Sequence, residues 1–357
     1  MSNHTQNTKS VSAKDQKVFS RVAYSVYLKD LFDKRAFIKA GAIAWGPPFD
    51  YFDMKKDVIA LQLRVKCWVS EFAASEPQDV ERLSETQKRT IISSLKGYCV
   101  QENWETLLGR LSHIHRDMIL EVFMETLLFK ELFARFFEAP FWYFDGKMDS
   151  TDAEGDEKFG ARLQHLYERF LETNPLNAAL WRSETLRLAN SVKEAQAPST
   201  KLGSYHRERR QALIGQLVDD ILSIEPIQWL LRKPASQEVE SKRRDELYKL
   251  CQVVAETASA QANMRGHFEF HRLDRLPETF QQYSKTMEAH TLHFLRRDST
   301  RLDGRRVLML VHPAIARGWI DECAISGYEI STEACVVVED AEDPADDDKS
   351  TEQDQDE

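Results

Sequence analysis

Glycine and proline are scarce in this chain, at 13 and 11 of 357 residues, which argues against a sandwich of short strands and against low-complexity linker protein. Cysteine is thin as well: Cys67, Cys99, Cys251, Cys323 and Cys335 stand far apart and never form a C-x-x-C. That spacing excludes a disulfide frame and a zinc knuckle, and predicts reduced thiols packed as small apolar groups. No uncharged apolar run approaches the roughly 20 residues needed to cross a bilayer, and the opening MSNHTQNTKSVSAKDQK holds no apolar signal core. The expectation is a cytoplasmic or nuclear protein without membrane insertion. Rossmann, Walker A, nucleophile-elbow and H-E-x-x-H patterns are all missing, so no cofactor and no metal is expected from motifs.

What the chain does have is helical texture. Hydrophobic residues make up 42% and charged residues 30%, a helix-rich globular balance. Met118 to Phe144, MILEVFMETLLFKELFARFFEAPFWYF, is apolar nearly all round a helical wheel, and such a helix is buried among others. The predicted architecture is all-α: a multi-helix, orthogonal or bundle-like array around this buried aromatic helix. Minor β structure is allowed at 307–311 and 336–338: VLMLV suits a buried strand or a helix segment, and VVV could pair with it as a strand.

Helix starts are legible from caps. Ser84 with Gln87 forms a capping box, Asn103 caps the helix carrying Leu107 and Leu111, Asn174 precedes Pro175, and Ser236 opens a long helix with Leu247, Leu250 and Val254. A helix is also predicted over Val18 to Lys34, and another over Met54 to Ala74. From Leu276 to Phe294 apolar positions step by four and three, which predicts a short coiled-coil-like seam containing His290. The resulting organisation is a disordered 1–14, an N-terminal helical half at 15–145, an acidic linker at 146–158 and a C-terminal helical half at 159–338, the two halves forming one domain or two. A disordered acidic tail, 339–357, follows. It carries eleven acids against Lys349, so the net charge of -10 resides there and the remainder of the chain is neutral.

Candidate chemistry is weighed against ordinary packing. The histidines fall in pairs, His113/His115, His267/His271 and His290/His293, but no glutamate stands three residues before any of them, which removes the di-iron helical signature. His267 and His271 with Asp219 and Asp220 are the candidates for a polar pocket, whose apolar wall would be Phe136, Phe137, Trp142 and Tyr143. Asp219 and Asp220 on a helix suit magnesium held against a diphosphate, yet the partner pattern of such sites is absent. Arg207, Arg209 and Arg210, with Arg296, Arg297, Arg305 and Arg306, could bind anions or phosphates. Arg296-Arg297-Asp298-Ser299 matches a basophilic kinase motif and makes Ser299 a candidate phosphosite.

These readings favour a non-enzymatic scaffold, adaptor or regulatory protein whose partners are proteins. One alternative is an all-helical small-molecule enzyme with the aromatic pocket. The other is weak association with nucleic acid, disfavoured by the neutral body and interspersed acids.

Overall fold

The computed structural model describes residues 51–147, 151–192, 199–264, 266–296, 298–321 and 324–341. The helix expected at Val18 to Lys34, the expected disorder at 1–14, Arg297, Cys323 and the tail from 342 onward lie outside the described residues.

Among the described residues eleven α-helices come first: α1 (Tyr51–Phe72), α2 (Pro77–Glu81), α3 (Glu85–Ser94), α4 (Trp104–Gly109), α5 (His113–Asp117), α6 (Ile119–Leu132), α7 (Phe159–Thr173), α8 (Pro175–Ala189), α9 (Lys201–Ser223), α10 (Glu225–Leu230) and α11 (Gln237–Ala262). The caps fall where the sequence places them. Ser84 Oγ accepts from Gln87 N while Gln87 Oε1 accepts from Ser84 N, and the side chains of Asn103, Asn174 and Ser236 each accept from an amide three residues on.

The aromatic segment is the interior rod that its composition demands. Eleven of the fourteen residues of α6 are buried, and the rod runs on into a single π-helical turn, Phe133–Phe137, whose Phe133 and Phe137 rings stack at 4.6 Å. Around it pack α1, α10 and α11. One apolar cluster runs from Val58 to Val338 and draws on both halves of the chain.

The architecture is nevertheless mixed α and β, which corrects the all-α expectation. Among the described residues six strands follow the helices: β1 (His267–His271), β2 (Met287–Ala289), β3 (Val307–His312), β4 (Ala314–Asp321), β5 (Ala324–Thr332) and β6 (Ala334–Val338). They form two three-stranded sheets, ordered β1-β4-β5 and β2-β6-β3. The pairing of VLMLV with VVV is present, as β3 antiparallel to β6. The seam read from Leu276 to Phe294 is not a helix; Met287 lies in β2, and Phe294 sits exposed at a left-handed φ of 49°. Its 4-3 spacing arises in a stretch of turns and short strand, where Pro277 already opposes a helix.

Topologically, β3-β4 and β5-β6 make one long antiparallel hairpin bent at a corner. Pro313 separates β3 from β4 and Glu333 separates β5 from β6. Proline supplies no amide to the ladder, so the hairpin changes sheets there. Register shifts flank the corner on both sides, between Leu310 and His312 and between Ile315 and Ala316. Such irregularities re-aim side chains. β2 then adds to the outer side of β6 in parallel, and α6 covers β3, with Thr126 Oγ1 donating to Met309 Sδ at 3.3 Å.

Candidate metal centre

Strand register assembles the site. At the corner His312 pairs with Cys335 across the β3-β6 ladder, and Glu288 pairs with Cys335 across the β2-β6 ladder. Three side chains from three adjacent strands thus stand in one row. Directly opposed residues bring their Cβ atoms within about 5.5 Å, and here an imidazole nitrogen, the thiol sulfur and a carboxylate oxygen all lie within 4.8 Å of one another. His312 and Cys335 are buried, and Glu288 opens the row to solvent.

Hydrogen bonds settle which histidine nitrogen is available. His312 Nδ1 lies 3.3 Å from the Pro313 carbonyl oxygen, an acceptor, so Nδ1 carries the proton and Nε2 the lone pair. Gln62 of α1 places its amide nitrogen on that Nε2. One helical face further along, Lys55 Nζ contacts both carboxylate oxygens of Glu333 at 3.0 and 2.8 Å, and Lys66 Nζ donates to Thr291 Oγ1.

The electrostatics suit a cation and disfavour a free thiolate. Burial pushes the Cys335 thiol well above its usual range, and the charges of Glu288 and Glu125 push the same way. Desolvation raises the Glu288 carboxyl, Glu333 adds repulsion, and Lys55 partly offsets both. Burial lowers His312 to about 4, leaving a neutral imidazole at neutral pH. A Cys-His-Glu trio could in principle serve nucleophilic catalysis, but that requires a thiolate stabilised by a neighbouring cation. Here the charges of Glu288 and Glu125 outweigh that of Lys66, which favours the thiolate. A divalent ion would resolve the conflict, because thiolate sulfur and carboxylate oxygens are ligands whose charge it neutralises.

Behind the row lies a second buried polar group. His293 Nδ1 is 3.2 Å from Asp340 Oδ2, and His293 Nε2 accepts from the Val338 amide at 3.0 Å. Asp340, wholly buried, also takes Arg301 Nη1, and its own amide donates to the Arg110 carbonyl. Burial opposes ionisation of Asp340, but the hydrogen bonds from His293 and Arg301 and the Arg301 charge outweigh it and hold the carboxyl below its ordinary range. His115 packs on His293 with ring centroids 4.2 Å apart, and burial lowers it to about 2, with His293, His290 and Arg301 adding to the effect. Its Nε2 and both ring nitrogens of His290 make no hydrogen bond, although His290 Nε2 lies 3.5 Å from Glu125 Oε2. Glu339 and Asp340, assigned by charge to the tail, are therefore built into the fold, Glu339 through an ion pair with Arg110 at 2.7 Å.

The residues singled out in the sequence sit elsewhere. His267 and His271 occupy the two ends of β1 and face Glu269 at 3.7 and 3.4 Å, and His267 Nδ1 lies 3.2 Å from the Tyr167 hydroxyl. Asp219 on α9 is held by both arms of Arg244 at 2.7 and 2.9 Å, and Asp220 lies 3.8 Å from Arg135. Asp219 lines a surface cavity of about 690 Å³ with Arg232, Lys233 and Arg244, and neither histidine reaches it. Phe136, Trp142 and Tyr143 close directly on Leu186, Ala258 and Ala262, leaving no room for a water. Phe137 stacks in the π-helical turn.

The arginines divide between two places. Arg209 donates to the Tyr143 carbonyl and meets Asp145 at 3.0 Å, Arg210 donates to Ser259 Oγ, and Arg207 is exposed on α9. Arg305 faces Asp340 at 3.6 Å, Arg306 binds Glu102 at 2.6 Å, and Arg296 is exposed, its carbonyl accepting from the Ser299 amide. Ser299 itself caps a turn, its Oγ accepting from the Arg301 amide at 3.4 Å.

No protein-family model, curated protein or solved structure matches the chain. Among the described residues no helix is long and apolar enough to cross a membrane.

Proposed function

We propose that this protein binds a transition-metal ion of the zinc class through Glu288, His312 and Cys335. The observation that carries the reading is the convergence of N, S and O donors from three neighbouring strands within 4.8 Å. One thiolate, one imidazole and one carboxylate favour zinc over magnesium or calcium, which take oxygen ligands. The ion would tie together segments far apart in sequence at the corner where the hairpin changes sheets, so its role is to fix that corner. It serves the interaction protein expected from the sequence as a stabilising centre rather than as a catalyst.

The test is zinc stoichiometry by mass spectrometry after chelator treatment, reloading and gel filtration. The expected result is one zinc per chain, a stabilisation of about 2.7 kcal/mol at zinc a hundredfold above its dissociation constant, and at least a tenfold loss of affinity in Cys335→Ser and His312→Gln. Equal zinc retention by wild type and both variants, with far-UV circular dichroism unchanged, would remove the proposal.

A further inference from the structure

Away from the strand row, and independent of the metal reading, lies the surface cavity of about 690 Å³ between α9, α10 and the start of α11. Helical spacing builds two of its walls. Gln237, Glu240, Ser241 and Arg244 recur at three- and four-residue steps along one face of α11, and Asp219, Leu222 and Ser223 do the same on the last turns of α9. The connection from α10 to α11 closes the third side with Arg232, Lys233 and Pro234. Backbone pairing fixes that connection to the end of α1, where the Ala74 amide donates to the Leu230 carbonyl and the Arg232 amide to the Phe72 carbonyl.

The lining is cationic although the body of the chain is neutral. Arg232, Lys233, Arg243 and Arg244 stand against Asp219 and Glu240, an excess of two positive charges. Only Arg244 has a carboxylate among the described residues, Asp219, which it holds with both arms. Arg232 donates one guanidinium nitrogen to Ser75 Oγ at 3.2 Å, and Lys233 is exposed. Arg243 is 8% exposed, and among the described residues its guanidinium makes one hydrogen bond, from Nη1 to the Arg232 carbonyl at 3.3 Å, and no ion pair. A guanidinium carries five N–H donors, and burying its charge without an opposite charge is costly. The cavity is therefore lined by a buried cation whose donors the protein leaves largely unused.

We propose that this cavity binds a small phosphorylated molecule, its phosphate held by Arg243 with Arg232 and Lys233 beside it. A phosphate monoester carries close to two negative charges at neutral pH, which matches the excess charge of the lining, and its oxygens match the planar fork of an arginine. Volume argues for a small molecule, since such sites span roughly 300 to 1,000 Å³. Ser223, Gln228, Gln237 and Ser241 offer hydrogen-bonding groups to a polar remainder. Binding is reversible, and no covalent bond is made or broken.

Isothermal titration calorimetry on the full chain in a phosphate-free buffer tests this with four probes: inorganic phosphate, phosphoserine, the same phosphoserine inside an otherwise uncharged peptide, and succinate. Phosphoserine is expected to bind more tightly than phosphate or the peptide and at least tenfold more tightly than succinate, with affinity falling as salt rises. Arg243→Met, which retains an apolar stem, should lose at least tenfold, and Arg243→Lys should recover part of that. Lys233→Met and Glu240→Gln change only exposed residues and so remain informative if Arg243→Met fails to fold. The first should weaken phosphoserine about threefold, and the second, which removes an opposing charge, should tighten it by about as much. No binding of phosphate or phosphoserine at millimolar concentration would overturn the proposal, as would succinate binding equally well or affinities unmoved by Lys233→Met and Glu240→Gln. Tighter binding of the peptide would overturn the small-molecule assignment in favour of a phosphorylated protein.

Discussion

The helical layer and the sheet corner bury side chains of opposite kinds. Around α6 the interior is Phe123, Phe129, Phe133 and Phe136 with aliphatic neighbours, and stability there follows from apolar area removed from water. At the corner the interior holds His115, His290, His293, His312, Cys335 and Asp340, groups whose burial costs free energy unless each is partnered. Several ring nitrogens there have no hydrogen bond. A fold that needed only stability would place valine and leucine at these positions, as it does in the same strand at Val336, Val337 and Val338. The contrast teaches that the first region is architecture, while the second gathers the polar groups on which the proposed metal centre rests.

Substitutions can break that contrast, beginning with the largest expected effect. Phe136→Ala removes a ring that is 1% exposed and sits edge-on to Trp142 at 5.2 Å, and is expected to cost about 4 kcal/mol in chemical denaturation without changing zinc stoichiometry. Loss of zinc by the folded variant would show that the two regions are not separable.

Next comes Asp340→Asn, which leaves Arg301 and His293 facing a neutral amide. About 3 kcal/mol should be lost at neutral pH. Because the Asp340 carboxyl is held below its ordinary value, its contribution is present above the unfolded carboxyl pKa near 4 and disappears as pH falls through the folded value. The gap between wild type and variant must therefore close under acid; a gap independent of pH would place the cost in packing instead.

The histidines sharpen the comparison by titration. His115 is lowered to about 2, against an unfolded value near 6.5. Protonation thus favours the unfolded chain, and stability is fully present above pH 6.5 and declines below it. Between pH 7 and pH 5 this residue alone should withdraw about 2 kcal/mol. Denaturation curves for wild type and His115→Gln at both pH values measure it, and parallel pH dependence in the two would assign the decline to other groups. Smallest is Ser84→Ala, which removes a capping box in the helical layer. It should cost about 1 kcal/mol and leave zinc affinity untouched.

The two regions were also unequally legible in the sequence. Helix starts at Ser84, Asn103, Asn174 and Ser236 could be read because a cap acts over three residues. The pairing of β3 with β6 could be raised but not decided, because VLMLV is a short apolar run that suits a buried strand or a helix segment alike. The hairpin partners were not legible. β4 begins Ala314, Ile315, Ala316 and contains Gly318, all but one weak strand formers, while β1, His267 to His271, alternates Phe268 and Phe270 with polar residues, a period of two that the surrounding helical texture masked.

The metal row is less legible still. Glu288, His312 and Cys335 share no short spacing, since they are joined only by cross-strand register. The one local signal is a histidine ending an apolar strand directly before Pro313. Asp340 was hidden differently, by membership in a run of acids whose composition points to solvent.

X-ray absorption at the zinc edge of the reloaded protein tests the central claim most directly. The account predicts one sulfur neighbour at about 2.3 Å with nitrogen and oxygen neighbours at about 2.0 to 2.2 Å, the sulfur lost in Cys335→Ser. A shell of nitrogen and oxygen alone in the wild type would contradict it.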